Sequence, residues 1–166
     1  MVAEGLRHVN YVDERMQNVL DTDFYFIDCN EEVTIEDIYN RSRGKKVLIV
    51  DDIEINCEVL IGMLDGSGLI FDTATNGKEA LDMIIAEPNK YDLVFMDIQM
   101  PIMSGLEATF QIRALNTPRK QKLPIIALTA NVFHEDIKKY YAAGMDDYIG
   151  KPLDITRVLE KLHDHL

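Results

Sequence analysis

Short blocks of aliphatic residues punctuate the chain from residue 46 onward, separated by stretches in which apolar positions recur every three or four residues. Val47-Leu48-Ile49-Val50 is an unbroken apolar run, as expected of a strand covered on both faces of a parallel sheet. Leu69 to Thr75, Tyr91 to Met96 and Pro124 to Leu128 share that character, and Tyr148-Ile149 is a shorter fifth run. Between the first two runs, Ile55, Val59, Leu60, Met63 and Leu64 follow helical spacing. After the fifth, Leu153, Val158, Leu159 and Leu162 do the same. Five strands alternating with five helices over about 120 residues predict a doubly wound α/β domain, a five-stranded parallel sheet flanked by five helices. Sheets of this kind place functional residues at the carboxyl ends of their strands, beside a topological switch point.

The first 44 residues follow a different pattern. Asp23-Phe24-Tyr25-Phe26-Ile27-Asp28 reads as a strand ending in an acid, and Thr34 followed by Asp37 reads as a capped helix start. The basic, Gly-containing stretch Arg41-Ser42-Arg43-Gly44-Lys45-Lys46 reads as a linker. Two segments are therefore expected. Residues 1–44 form an extension packed on the domain, a partly disordered linker, or the tail of a degenerate copy of the following module, since "TDFYFID" echoes "YDLVFMD" at Tyr91 to Asp97. Residues 45–166 form the domain itself. With Leu166 directly after the fifth helix, no output domain is expected within these residues.

Charge narrows the classes of partner. Residues 1–44 hold 10 acidic and 4 basic groups, and residues 45–166 hold 19 and 13, so each segment carries −6 of the total −12. Such a balance repels a phosphate backbone and argues against nucleic-acid binding. The two cysteines, Cys29 and Cys57, form no disulfide framework or metal-binding spacing. Met1 to Asn10 lacks a signal-peptide apolar stretch, and no run approaches the roughly 20 residues that span a bilayer. A soluble cytoplasmic chain without membrane contact of its own is expected.

The candidate chemistry lies where the predicted strands end. Asp51 and Asp52 follow the first strand, Asp97 ends the third, Thr129 ends the fourth and Lys151 follows the fifth. Singly these are weak signals: an Asp pair before a helix often serves as its N-cap, a role open to Asp52 here, and a lone strand-end Asp, Thr or Lys is commonly solvated surface. Together on one sheet edge they suit phosphoryl transfer, which depends on positioning and charge neutralisation. Clustered carboxylates repel one another unless a cation sits among them, and Mg²⁺ takes oxygen ligands while keeping several waters. Lys151 offers a mobile positive charge, and the Thr129 hydroxyl offers a hydrogen bond, to oxygens of a phosphoryl group received by an aspartate.

Val50-Asp51-Asp52, Met96-Asp97-Ile98-Gln99-Met100-Pro101 with Gly105, Ala127-Leu128-Thr129-Ala130, and Asp147-Tyr148-Ile149-Gly150-Lys151-Pro152 resemble the signature blocks of response regulator receiver domains. Asn76-Gly77-Lys78-Glu79-Ala80 resembles that family's second-strand turn, and "MDIQMPIMSG", "ALTAN" and Asn56 look most like receivers of hybrid sensor histidine kinases. The resemblance covers residues 46–166. It implies the flavodoxin-like strand order 2-1-3-4-5, with Asp97 as phosphoacceptor and Asp51, Asp52, Asp97 and the Gln99 carbonyl as Mg²⁺ ligands. Thr129 and Lys151 match the switch hydroxyl and the phosphate-binding lysine. Tyr148 matches the aromatic that turns inward from an exposed position on activation, and Lys151-Pro152 matches a cis bond. The implied partners are a histidine kinase or a histidine phosphotransfer protein. The face of the fourth helix, fifth strand and fifth helix is open to partners or a homodimer.

Two other functions compete. A receiver-fold scaffold without phosphorylation has no need of the acid–Thr–Lys set. A Mg²⁺-dependent phosphatase of the haloacid dehalogenase type wants a second Asp two positions after the nucleophile, where this chain has Gln99. His134-Glu135 falls on a surface helix, and His163 and His165 have no metal-ligand context. The scattered methionines read as core filling. On the first helix, Ile55, Val59 and Gly62 mark an edge able to dock a partner helix.

Overall fold

The aliphatic runs form the central sheet of the computed structural model, which describes residues 24–27, 31–115 and 122–166. The expected strand end at Asp28, as well as Asp23 and Cys29, lies outside the described residues. In chain order the elements are strands β1 (Phe24–Ile27) and β2 (Glu31–Thr34), helix α1 (Ile35–Ser42), β3 (Lys46–Val50), α2 (Glu54–Met63), β4 (Ile70–Ala74) and α3 (Gly77–Ala86). They continue with β5 (Leu93–Asp97), α4 (Gly105–Ala114), β6 (Ile125–Thr129), α5 (His134–Ala143), β7 (Asp147–Gly150) and α6 (Ile155–His165). The five-stranded sheet is parallel throughout, in the order β4-β3-β5-β6-β7, which is the order 2-1-3-4-5 within the domain.

Alternation along each buried strand divides the core in two. Val47, Ile49, Leu93, Phe95, Ile126 and Leu128 face α2 and α6, where Cys57, Leu60, Val158, Leu159 and Leu162 meet them. The intervening Leu48, Val50, Val94, Met96, Ile125 and Ala127 face α3, α4 and α5. A strand covered on both sides has no polar face, which is why these runs read as unbroken apolar segments. On α2, by contrast, Ile55 and Val59 point outward and stay 56% and 46% exposed, beside Gly62.

Six helices are described, one more than the five expected of the domain. The sixth is α1, which begins where Thr34 suggested. Thr34 Oγ1 accepts from the Asp37 N–H, and the Asp37 carboxylate accepts in return from the Thr34 N–H, a reciprocal cap. Helix α1 buries Ile38 in the α2–α6 half of the core, and Arg41 reaches His163 on α6 at 3.1 Å. Ahead of it, β1 and β2 pair antiparallel in a sheet of their own.

Candidate functional site

Parallel strands bring their carboxyl ends to one rim, and the rim gathers the residues singled out above. The Asp51 N–H donates to the Ala74 carbonyl at 3.1 Å, the Ile98 N–H to Leu128 at 3.2 Å and the Lys151 N–H to Thr129 at 2.7 Å, so each loop leaves the sheet in fixed register. From the edge strand the long Lys151 side chain reaches back across the rim. Its Nζ lies 2.8 Å from Asp51 Oδ2 and 3.0 Å from Asp97 Oδ1. Gly105 is required where α4 begins, because a Cβ there would fall 2.1 Å from the Asp97 carbonyl oxygen.

Asp51 and Asp97 are buried, whereas Asp52 is exposed. Asp52 does not cap α2. The N-cap is Ile53, without a side-chain bond, and Asp51 ties the turn down instead. Asp51 Oδ1 accepts from the Ile53 N–H at 3.0 Å and from Asn56 Nδ2 at 2.9 Å. The two adjacent acids therefore divide the work: Asp51 is anchored, and Asp52 keeps its carboxylate free of the helix.

Burial pushes the Asp97 carboxyl above the usual range. Lys151 pulls it back and Asp51 pushes it further up. For Lys151, burial favours the neutral amine, but the bonds to Asp51 and Asp97 outweigh it and hold the ammonium more firmly. One ammonium thus faces three carboxylates. Single oxygens of Asp51, Asp52 and Asp97 all lie within 4.8 Å of one another, an all-oxygen set short of positive charge. Such hard donors with one exposed side suit Mg²⁺, which retains water on its open positions.

A cleft of about 390 Å³ opens over this cluster, lined by Asp52, Asp97, Gln99, Thr129 and Lys151 and walled by Asn131, Lys139 and Tyr140. Gln99 thus stands at the cleft. Thr129 is buried, with its hydroxyl directed into a group formed by Asn131 and Tyr140. Tyr148 departs from expectation. It is half-buried and already packs against the α3–α5 half of the core, because β7 is an edge strand whose ring can lie along the apolar face. Beside the Thr129 hydroxyl stands Tyr140, which was not among the residues expected at the site. The sequence signal goes only part of the way: Ile137 and Tyr140 share the inner face of α5 and a buried tyrosine hydroxyl seeks a partner, but nothing local names Thr129 as that partner.

The family model for the response regulator receiver domain matches residues 47–163. The chain belongs to that family. Among curated relatives, this receiver is 42% identical over 121 residues to the aerobic respiration control sensor protein ArcB of Escherichia coli, spanning 71% of this chain and 15% of ArcB. It is 38% identical over 125 residues to the hybrid signal transduction histidine kinase I of Dictyostelium discoideum, spanning 74% of this chain and 7% of that kinase. The chain thus spans a small fraction of the curated relatives it matches. Among solved structures, the receiver domain of the sensor histidine kinase PA1611 of Pseudomonas aeruginosa, with a magnesium ion coordinated in its active site cleft, superposes with a TM-score of 0.65. It is 34% identical, over 74% of this chain and 97% of that one. A co-crystal structure of the Saccharomyces cerevisiae phosphotransfer protein Ypd1 with the receiver domain of Ssk1 gives a TM-score of 0.65 at 32% identity, over 73% of this chain and 88% of that one. Receivers of this family are switches of two-component and phosphorelay signalling and are not generally classed as enzymes. No described helix is long and apolar enough to cross a membrane.

Proposed function

We propose that this receiver is a phosphoacceptor switch in which Asp97 takes a phosphoryl group from a phosphohistidine, with Thr129 and Tyr148 passing the change to the surface. The observation that carries the reading is the buried Asp97 carboxylate at a strand end, held by Lys151 beside Asp51 and Asp52. An Asp97 oxygen attacks phosphorus, a P–O bond forms as the P–N bond breaks, and the donor imidazole departs with the electron pair and takes up a proton. The carboxylates of Asp51, Asp52 and Asp97 and the Gln99 carbonyl would hold Mg²⁺, which when bound neutralises charge on the acids and on the incoming group. Lys151 is already within reach of Asp97 and needs only to exchange a carboxylate oxygen for a phosphoryl oxygen.

The acyl phosphate then passes to a phosphotransfer histidine or is hydrolysed by water. As Thr129 turns toward the new oxygens, the packing of α5, β7 and α6 shifts with Tyr148, offering that face to a partner or a second copy. The ligand does this by favouring whichever packing it contacts better. The exposed Ile55 and Val59 on α2, beside Gly62, supply an apolar edge for the donor or acceptor of the phosphoryl group. Residues 1–44 are read as an N-terminal extension or the remnant of a preceding module, with a linker into the receiver and with α1 seated against α6.

Incubation with acetyl phosphate and Mg²⁺, followed by intact-mass measurement, tests the assignment. The wild type is expected to gain one phosphoryl group and Asp97→Asn none. Undiminished labelling of the mutant would refute it.

A further inference from the structure

The chemistry proposed for Asp97 requires the Thr129 hydroxyl to turn toward a phosphoryl oxygen, so what that hydroxyl must leave matters. Thr129 Oγ1 lies 2.8 Å from the Tyr140 hydroxyl and 3.1 Å from the Asn131 carbonyl, and accepts from the Asn131 N–H at 3.0 Å. The Tyr140 hydroxyl donates to the same Asn131 carbonyl at 2.9 Å. Thr129 and Tyr140 are 3% and 4% exposed, so little water competes at either hydroxyl.

Each hydroxyl carries a single hydrogen. With that of Tyr140 directed to Asn131, the hydrogen of Thr129 has the Tyr140 oxygen as its nearer acceptor and the Asn131 carbonyl as its farther one. The nearer choice makes a chain from Thr129 through Tyr140 to Asn131, in which each bond polarises and strengthens the next. Both choices commit the Thr129 hydrogen to a partner other than Asp97. When Thr129 leaves, Asn131, an exposed residue, can be served by water, whereas the buried Tyr140 oxygen loses its donor.

We propose that Tyr140 is a positioning residue for this reaction: its hydroxyl competes with the phosphoryl group for the Thr129 hydrogen and so holds the receiver in its resting arrangement. The proposal rests on the reading of Asp97 as phosphoacceptor. The ring of Tyr140 packs in the α3–α5 half of the core, a volume phenylalanine fills equally well. Only the hydroxyl is needed for Thr129, so removing it weakens the resting state while keeping the packing.

Beryllofluoride with Mg²⁺, a mimic of the phosphoryl group, is titrated into the wild type, Tyr140→Phe, Thr129→Ala and the double variant. Tyr140→Phe is expected to bind about fivefold more tightly, the usual net weight of one hydrogen bond. The double variant is expected to match Thr129→Ala, because the effect runs through the threonine hydroxyl. Equal or weaker binding by Tyr140→Phe overturns the proposal, and so does a gain that persists without Thr129. A second measurement needs no substitution: with ¹³C at the tyrosine Cζ atoms, the Tyr140 resonance should move on saturation of the wild type, and a fixed resonance overturns the proposal. Failure of beryllofluoride to bind the wild type would instead bring down the phosphoacceptor reading and this proposal with it.

Discussion

Two clusters of ionised side chains in this domain are built on opposite ratios. At the carboxyl rim, the three clustered carboxylates of Asp51, Asp52 and Asp97 stand against the one ammonium of Lys151, which bonds Asp51 and Asp97. At the start of β7, Asp147 alone receives Lys161 Nζ at 2.9 Å, His165 Nε2 at 3.2 Å and the Tyr148 N–H at 2.9 Å. Burial pushes both Asp97 and Asp147 upward, and the neighbours decide the outcome. Asp147 is drawn down to about 2 by its donors, whereas Asp97 stays raised. A carboxylate with donors to spare fastens β7 to α6. A carboxylate short of them is poised for a partner that arrives from solution.

The contrast breaks most visibly through the metal. In Asp52→Ala the rim loses its one exposed carboxylate, and Mg²⁺ affinity measured by NMR titration is expected to fall more than about 100-fold, beyond the usual cost of losing a mere supporting contact. Unchanged affinity would mean that the three-acid cluster is not the cation site.

The seam should respond in stability instead. Asp147→Asn is expected to cost about 2 kcal/mol at neutral pH, since each tenfold change in a carboxylate's proton affinity on folding is worth about 1.4 kcal/mol. The folded carboxyl lies below its ordinary value, so its stabilisation is present above about pH 4 and fades as pH falls toward 2. Urea denaturation of wild type and mutant should therefore separate at pH 7 and converge near pH 2. Equal stability at pH 7 would show that the Lys161 and His165 contacts hold nothing together.

The rim could be read from sequence because its residues sit at the ends of strands that announce themselves. Val47–Val50 and Pro124–Leu128 are apolar on both faces, so the polar residue after each had to emerge at an edge, and parallel order brought those edges together. The division of labour between Asp51 and Asp52 was hidden, because two adjacent acids look alike in sequence and only the folded turn shows which one takes the Ile53 N–H and Asn56, with Lys151 arriving from 100 residues away. Tyr140 was hidden for a related reason: its spacing marks it as core, and only the packing of α5 on β6 carries its hydroxyl to Thr129. The antiparallel pairing of β1 with β2 also escaped, since a lone apolar run does not specify its partner. The positive φ of 70° at Ile102, unusual for a β-branched residue, had no local signal beyond the preceding proline.

The smallest effect expected is also the sharpest test of the contrast. In Asp97→Asn, with EDTA present, the rim loses one buried carboxylate from a cluster with too little positive charge, while Lys151 keeps Asp51 as a partner. Stability at pH 7 is expected to rise by about 1 kcal/mol, the usual scale of relieving a destabilised functional site. Because the folded Asp97 carboxyl titrates above its ordinary value, the penalty on the wild type builds as pH climbs from that ordinary value through the raised one. The gain from asparagine should therefore shrink toward pH 4, opposite in sign to the Asp147→Asn series, where the mutant's deficit shrinks with acid. Adding Mg²⁺ should reverse the order at pH 7, since an ion that binds the folded wild type more tightly stabilises it more. If Asp97→Asn is less stable than the wild type in EDTA, the Lys151 bond outweighs burial, and rim and seam are the same kind of cluster after all.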